Sequence, residues 1–234
     1  MIQSGTIHRH HLQLIVDPAV ILDDAGYGRV HAAMQVGLDS VQVRGPKSSA
    51  REMLAAAQRL LPCASDHGVV ISVNDRADVA LALLPTQHAT RDGLVPPVGA
   101  HLGARSLPVA LARRHLSLPF VGVSVHSVEE GIAAANDGAD YVTFGHIFPT
   151  ASHPEEPPVG LERLRELAGA VEIPVLAIGG IDATNVREVL HAGAAGIAVI
   201  SAVLNAPDPT AATAELRAIL DGAADTTARR TGLR

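Results

Sequence analysis

The sequence predicts a single-domain α/β fold, a (β/α)₈ TIM barrel occupying residues 1–220. Three observations predict it. Short β-branched runs alternate eight times with longer helix-patterned stretches. The short runs are apolar almost throughout, as strands are when a parallel sheet is covered on both faces. No linker divides the 234 residues, a length that suits one barrel.

From the N-terminus, "LQLIV" (12–16) is the first strand, and residues 24–37 form a helix stopped by glycine. "SVQVR" (40–44) is the second strand, followed by an alanine- and leucine-rich helix over 49–66. "VVISV" (69–73) is the third, with a helix over 76–83. An irregular stretch, "PTQHATRDGLVPPVG" (85–99), is longer than an ordinary connection. "AHL" (100–102) is the fourth strand, with a helix over 108–115, and "FVGVSV" (120–125) the fifth, with a helix over 128–137 closed by Gly138. "YVTF" (141–144) is the sixth strand, and a proline-rich loop leads to a helix over 161–168. "VLAI" (175–178) and "GIAVI" (196–200) are the seventh and eighth, followed by helices over 184–192 and 210–220. Residues 221–234 are small, polar and charged, and are expected to form a frayed, disordered tail. An open doubly wound sheet is the competing arrangement, but the first βα turn has no G-x-G-x-x-G.

Composition narrows the function. A net charge of −6 disfavours a binder of nucleic-acid backbone, and 2% aromatics with no Trp leaves no base-stacking platform. No apolar stretch reaches the ~20 residues needed to span a bilayer, and "QSGTIHRHH" interrupts any leader-like segment. The lone cysteine, Cys63, fits a reducing cytoplasm and reads as core packing within a helix. His8, His10 and His11 could ligate a metal, although histidines at a polar terminus are more often solvated. The expectation is a cytoplasmic protein acting on a small molecule, compatible with a homo-oligomer, with no nucleic acid and no membrane.

In such a barrel the chemistry sits where strands end and βα loops begin. Those positions are polar here: Gln42, Arg44 and Lys47 after the second strand, "NDR" (74–76) after the third, Ser124 and His126 after the fifth, His146 and Thr150 after the sixth. Gly179-Gly180 follows the seventh strand and Ser201-Ala202 the eighth. Paired glycines there let backbone N–H groups approach an anion closely, and the loops after strands seven and eight are this fold's usual phosphate cradle. Arg44 and Lys47 suit a second anionic group. Asp75 could hold Mg²⁺ or pair with a neighbour, and one carboxylate is thin support for a metal.

Seven motifs, "VQVR…K", "VNDRADVAL", "AHLGARSLP", "GVSVHSVEE", "GADYVTFGHIFPT", "LAIGGI" and "AVISA", resemble in the same order those of the thiamine phosphate synthase and TenI superfamily. The resemblance runs from about Leu12 to Leu204 and implies a (β/α)₈ fold with thiazole-phosphate chemistry. Its synthase branch joins a pyrimidine diphosphate to a thiazole phosphate with Mg²⁺. That branch typically carries an aspartate where this chain has Arg105-Ser106, a lysine near His153, and "GPIFPT" where this chain reads "GHIFPT". Losing the carboxylate and the lysine argues against the synthase.

The TenI-like branch carries a histidine in the sixth-strand motif, matching His146. The resemblance therefore implies a thiazole tautomerase, an isomerase using no metal and no cofactor, with His146 as its catalytic acid–base. It further implies phosphate on Gly179, Gly180, Ser201 and Ala202, and a thiazole lined by Ser124 and Thr150. Arg44 and Lys47 would meet its carboxylate, with Gln42 and Asn74 completing the substrate site. A synthase, or a non-catalytic thiazole-phosphate binder, is the alternative. A histidine bonded to a loop carbonyl is the bland account of His146.

Overall fold

The computed structural model describes residues 9–84, 98–152 and 154–230. The chain runs β1 (His11–Val16), α1 (Pro18–Leu22), α2 (Asp24–Gln35), β2 (Ser40–Val43), α3 (Ala50–His67), β3 (Val70–Asn74) and α4 (Ala77–Leu83). It continues β4 (Val98–Leu102), α5 (Val109–His115), β5 (Val121–Val125), α6 (Val128–Asn136), β6 (Tyr141–Gly145) and α7 (Gly160–Ala170). The last elements are β7 (Val175–Ile178), α8 (Val186–His191), β8 (Gly196–Val199), α9 (Ser201–Leu204) and α10 (Pro209–Arg230). The eight strands form one closed barrel in chain order, every pairing parallel, and β8 returns to β1 with His11 opposite Gly196.

All eight expected strands form where the apolar runs lie. β2, β4, β6 and β8 are buried along their whole length because helices cover the outside and side chains fill the inside. Two short helices were not expected. Asp17 caps α1 through Ala19 N–H, with Pro18 in its first turn, and α9 is a single turn after β8. α3 has a capping box, Ser49 with Glu52, and ends on Gly68 in the left-handed region at φ +67°.

The expected tail begins at Asp221; α10 spans Pro209–Arg230, and residues 231–234 lie outside the described residues. So do residues 1–8 with His8, His153 and most of the irregular stretch, 85–97. His11 is no solvated terminal group: it is the first residue of β1, its Nε2 lies 2.8 Å from Ser40 Oγ, and burial pushes its imidazole down to about 4. Among the described residues no group of three or more His, Cys, Asp or Glu could hold a metal ion, and no helix is long and apolar enough to cross a membrane.

The barrel interior is not wholly apolar. His101 on β4 is fully buried, with Nδ1 3.0 Å from Tyr141 Oη and Nε2 2.9 Å from Ser124 Oγ. Thr143 Oγ1 donates to Ser124 Oγ at 3.3 Å, and Gln13 Nε2 donates to Tyr141 Oη at 3.4 Å. This polar layer carries the inside of the barrel up to Ser124 and Thr143, which line the open end.

Candidate active site

The strand C-termini surround a cleft of about 600 Å³, within the range of small-molecule sites. Gln42, Arg44, Asn74, Ser124, His146, Thr150, Gly179, Gly180, Ser201 and Ala202 all line it. Lys47 does not: it is exposed, three residues past Arg44, and lies outside the lining. The cleft lining thus gives no support to the role for Lys47 that the resemblance implies. Arg105, His126 and Ser152 also line the cleft. Arg105 was visible in the sequence, but only as an aspartate that was missing.

The β3 end is built around Asp75. Its backbone is in the left-handed region at φ +60°, and Arg76 N–H bonds to the Asn74 carbonyl at 2.7 Å, closing a tight three-residue turn. A non-glycine residue held there costs roughly 1–3 kcal/mol, which the surrounding bonds must offset. Asp75 N–H donates to the His101 carbonyl at 2.8 Å. Its Oδ1 accepts from Gly103 N–H at 3.0 Å and from Ser106 Oγ in a short bond, and its Oδ2 accepts from Asn74 Nδ2 at 2.8 Å.

The acceptor-only carboxylate sets the next two amides. Asn74 must turn its Nδ2 to Asp75, so its Oδ1 faces Gln42 and accepts from Gln42 Nε2 at 2.9 Å. That leaves Gln42 Oε1 buried with no partner among the described residues. A buried acceptor left open on a cleft residue calls for a donor on the molecule that fills the cleft.

These residues do not fit the Mg²⁺ ion that the synthase resemblance implies. Mg²⁺ takes a strict octahedron of oxygens, normally with one or two carboxylates and several waters. Here the Asp75 oxygens are engaged by three donors, the neighbouring position is the hydroxyl of Ser106, and the Arg44 and Arg105 side chains line the same cleft. Neither guanidinium has an ion pair or a side-chain hydrogen bond among the described residues.

Across the barrel, the β6 loop rests on the glycines after β7. Ile147 N–H bonds to the Ile178 carbonyl at 2.8 Å, and Phe148 N–H to the Gly179 carbonyl at 3.1 Å. A Cβ on Gly179 would lie 2.2 Å from His146 Cβ, and one on Gly180 would lie 2.6 Å from the Pro149 carbonyl oxygen. The glycines are therefore required first by the β6 loop that packs on them, a reason the sequence did not suggest. The N–H groups of Gly179, Gly180, Ser201 and Ala202 donate to no acceptor among the described residues.

His146 is buried at 8% exposure, and its Nε2 donates to the Glu156 carbonyl at 3.1 Å. His126, more exposed, donates from Nδ1 to the Gly145 carbonyl at 2.9 Å. Both imidazoles thus fasten loops at the cleft wall. Val159 N–H bonds back to the His146 carbonyl at 2.9 Å, so the loop between Phe148 and Val159 is tied at both ends to the β6 terminus.

The sequence profile described as thiamine monophosphate synthase matches residues 12–203. A thiamine-phosphate synthase of Roseiflexus sp. strain RS-1 is 45% identical over 202 residues, covering 86% of this chain and 80% of that protein. One from Roseiflexus castenholzii is 46% identical over 197 residues, covering 83% and 80%. The solved thiamine phosphate pyrophosphorylase of Pyrococcus furiosus superposes with a TM-score of 0.77 at 35% identity, covering 94% of this chain and 99% of that one. These relatives overturn the expected thiazole tautomerase and, with it, the isomerase class: their named activity is a synthase, a transferase. The expectation rested on the loss of an aspartate as a metal anchor and of a lysine as a diphosphate contact, two single positions set against similarity over most of the chain.

Proposed function

The chain belongs to the thiamine monophosphate synthase family, and from that premise we propose that it is a thiamine-phosphate synthase, a transferase joining a pyrimidine diphosphate to a thiazole phosphate with release of diphosphate. One observation carries the reading beyond family membership: the cleft offers anion-binding groups on two opposite sides. The amides after β7 and β8, free among the described residues, suit the phosphate monoester, and the guanidiniums of Arg44 and Arg105, unpaired among the same residues on the β2 and β4 side, suit the diphosphate. Gln42 Oε1 stands as the open acceptor for a donor on one of the heterocycles.

Ser124, held by His101 and Thr143, and Thr150 line the space between the two anion sites. The β6 loop, tied by His146 to Glu156, walls off one side of that space. As the bond to the diphosphate breaks, charge collects on the departing oxygen, and cations already placed there stabilise it without reorganising. Fixing both substrates in one cleft supplies the proximity that a two-substrate reaction needs. Substrates this highly charged suit a cytoplasmic enzyme.

The test is direct. Purified protein given the pyrimidine diphosphate and the thiazole phosphate should form thiamin phosphate and diphosphate in equal amounts, followed by chromatography and a diphosphate assay. The absence of both products, with Mg²⁺ and with EDTA, would overturn the proposal.

A further inference from the structure

We propose that in this chain Arg105 takes the diphosphate-gripping role that a divalent cation would otherwise fill, and that Asp75 is a positioning residue holding the turn that presents Arg105. The proposal takes its ligand, a diphosphate, from the synthase reading above. Its grounds lie in the β3 and β4 ends.

The carboxylate of Asp75, which lines the cleft, accepts three bonds within the protein. Oδ1 binds the two ends of the Gly103–Ser106 turn, through Gly103 N–H at 3.0 Å and through the Ser106 hydroxyl. The turn closes on itself as well, by Ser106 N–H to the Gly103 carbonyl at 2.9 Å and Gly103 N–H to Ser106 Oγ at 2.9 Å. Arg105 stands inside this doubly fastened turn and lines the cleft. Asp75 holds its left-handed backbone at φ +60° in the same place. Such strain persists where the surroundings impose it and clusters at working sites.

Charge points the same way. A divalent ion needs surrounding oxygens, and it would here sit in a cleft shared with two guanidiniums that have no ion pair among the described residues and that repel it. A diphosphate is drawn by the same two groups, and arginine's planar fork can bind two of its oxygens at once. The cleft residues thus favour the anion directly and oppose the metal that would bridge to it.

The test uses inorganic pyrophosphate as the probe, titrated calorimetrically into the full-length protein in EDTA and again in Mg²⁺. Pyrophosphate should bind in EDTA, with little change on adding Mg²⁺, and Arg105→Ala should weaken it about tenfold or more. Arg105→Lys, which keeps the charge and loses the fork, should recover part of that loss. Asp75→Asn still offers an oxygen to the turn and should keep pyrophosphate affinity, whereas a metal ligand so changed would lose it. Asp75→Ala frees the turn and should weaken binding, but should add nothing when Arg105 is already alanine, because it acts through Arg105.

Binding of a thiazole phosphate at the opposite side should be unmoved in all of these variants, which shows that they fold. Binding that requires Mg²⁺, or an Arg105→Ala variant that binds pyrophosphate like the wild type, would overturn the proposal. Thiamin phosphate formed by a protein that needs Mg²⁺ to bind pyrophosphate defeats this inference and spares the synthase reading. Pyrophosphate held through Arg105 in EDTA, with no thiamin phosphate formed, supports the inference and defeats that reading.

Discussion

At the scale of single residues, the two glycines after β7 show how one sequence signal can have two causes. Gly179 has φ +96° and Gly180 φ +66°, and both would drive a Cβ into the β6 loop. Gly179→Ala should therefore act mainly on that loop. The left-handed backbone alone should destabilise the fold by roughly 1–3 kcal/mol, and the 2.2 Å approach to His146 Cβ adds to it. In a protein of this size each kcal/mol lowers Tm by about 2–4 °C. A Tm drop of several degrees, together with faster proteolysis in the loop after His146, is the expected result. A Gly179→Ala variant melting with the wild type would show that the loop does not rest on this glycine. Asp75 and Arg105 make the complementary case. Each was visible in the sequence, but their relation runs through hydrogen bonds between residues 28 to 31 positions apart, which no local pattern reports.

At the scale of elements, the eight strands were legible because each is a run of β-branched and apolar residues buried on both faces. The helices between them were legible from their periodicity and their glycine stops. α1 and α9, with five and four residues, are too short for any period to show, although Asp17-Pro18 is a start signal. The site positions followed from the strand ends, so only Lys47 fell outside the cleft. The role of α10 was not legible, because it depends on a contact across the whole chain. Arg217 on α10 is 6% exposed. It donates from Nη1 to Asp39 Oδ2 at 2.9 Å and from Nη2 to the His10 carbonyl at 2.7 Å, and Asp39 Oδ2 also accepts from Leu12 N–H at 2.7 Å. The last helix thereby buckles the starts of β1 and β2 at the closed end of the barrel. Arg217→Met keeps the bulk and removes the charge, leaving Asp39 with only the more distant Arg9, whose Nε lies 3.6 Å from its Oδ1. Losing these charge-assisted bonds should cost about 1.5–3 kcal/mol, read as a lower midpoint in urea. A shift under about 1 kcal/mol would mean that apolar packing alone seats α10.

At the scale of the whole molecule, the polar layer in the barrel makes stability depend on pH. His101 is fully buried and His11 partly buried, and loss of hydration pushes their imidazoles down to about 3 and about 4. For His101 the Asp75 charge opposes that push and the Arg44 charge adds to it. In the unfolded chain both rings titrate near 6.5. Between that value and the depressed ones the unfolded state binds protons that the folded state refuses, so stability falls as pH falls through this window. It is fully present above about pH 7, and by pH 5 each histidine should have removed ~2 kcal/mol, ~4 together. That is a large part of the 5–15 kcal/mol that holds an ordinary domain. Urea unfolding at pH 7.5 and pH 5 should show the difference, and His101→Gln should lose about half of the slope while lowering stability at both values, since Tyr141 and Ser124 lose a matched partner. A midpoint unchanged between pH 7.5 and pH 5 would mean that these rings accept protons without unfolding. Protonated His101 would then stand directly beneath Ser124 in the cleft, and pyrophosphate binding should strengthen with acidity instead of the fold weakening.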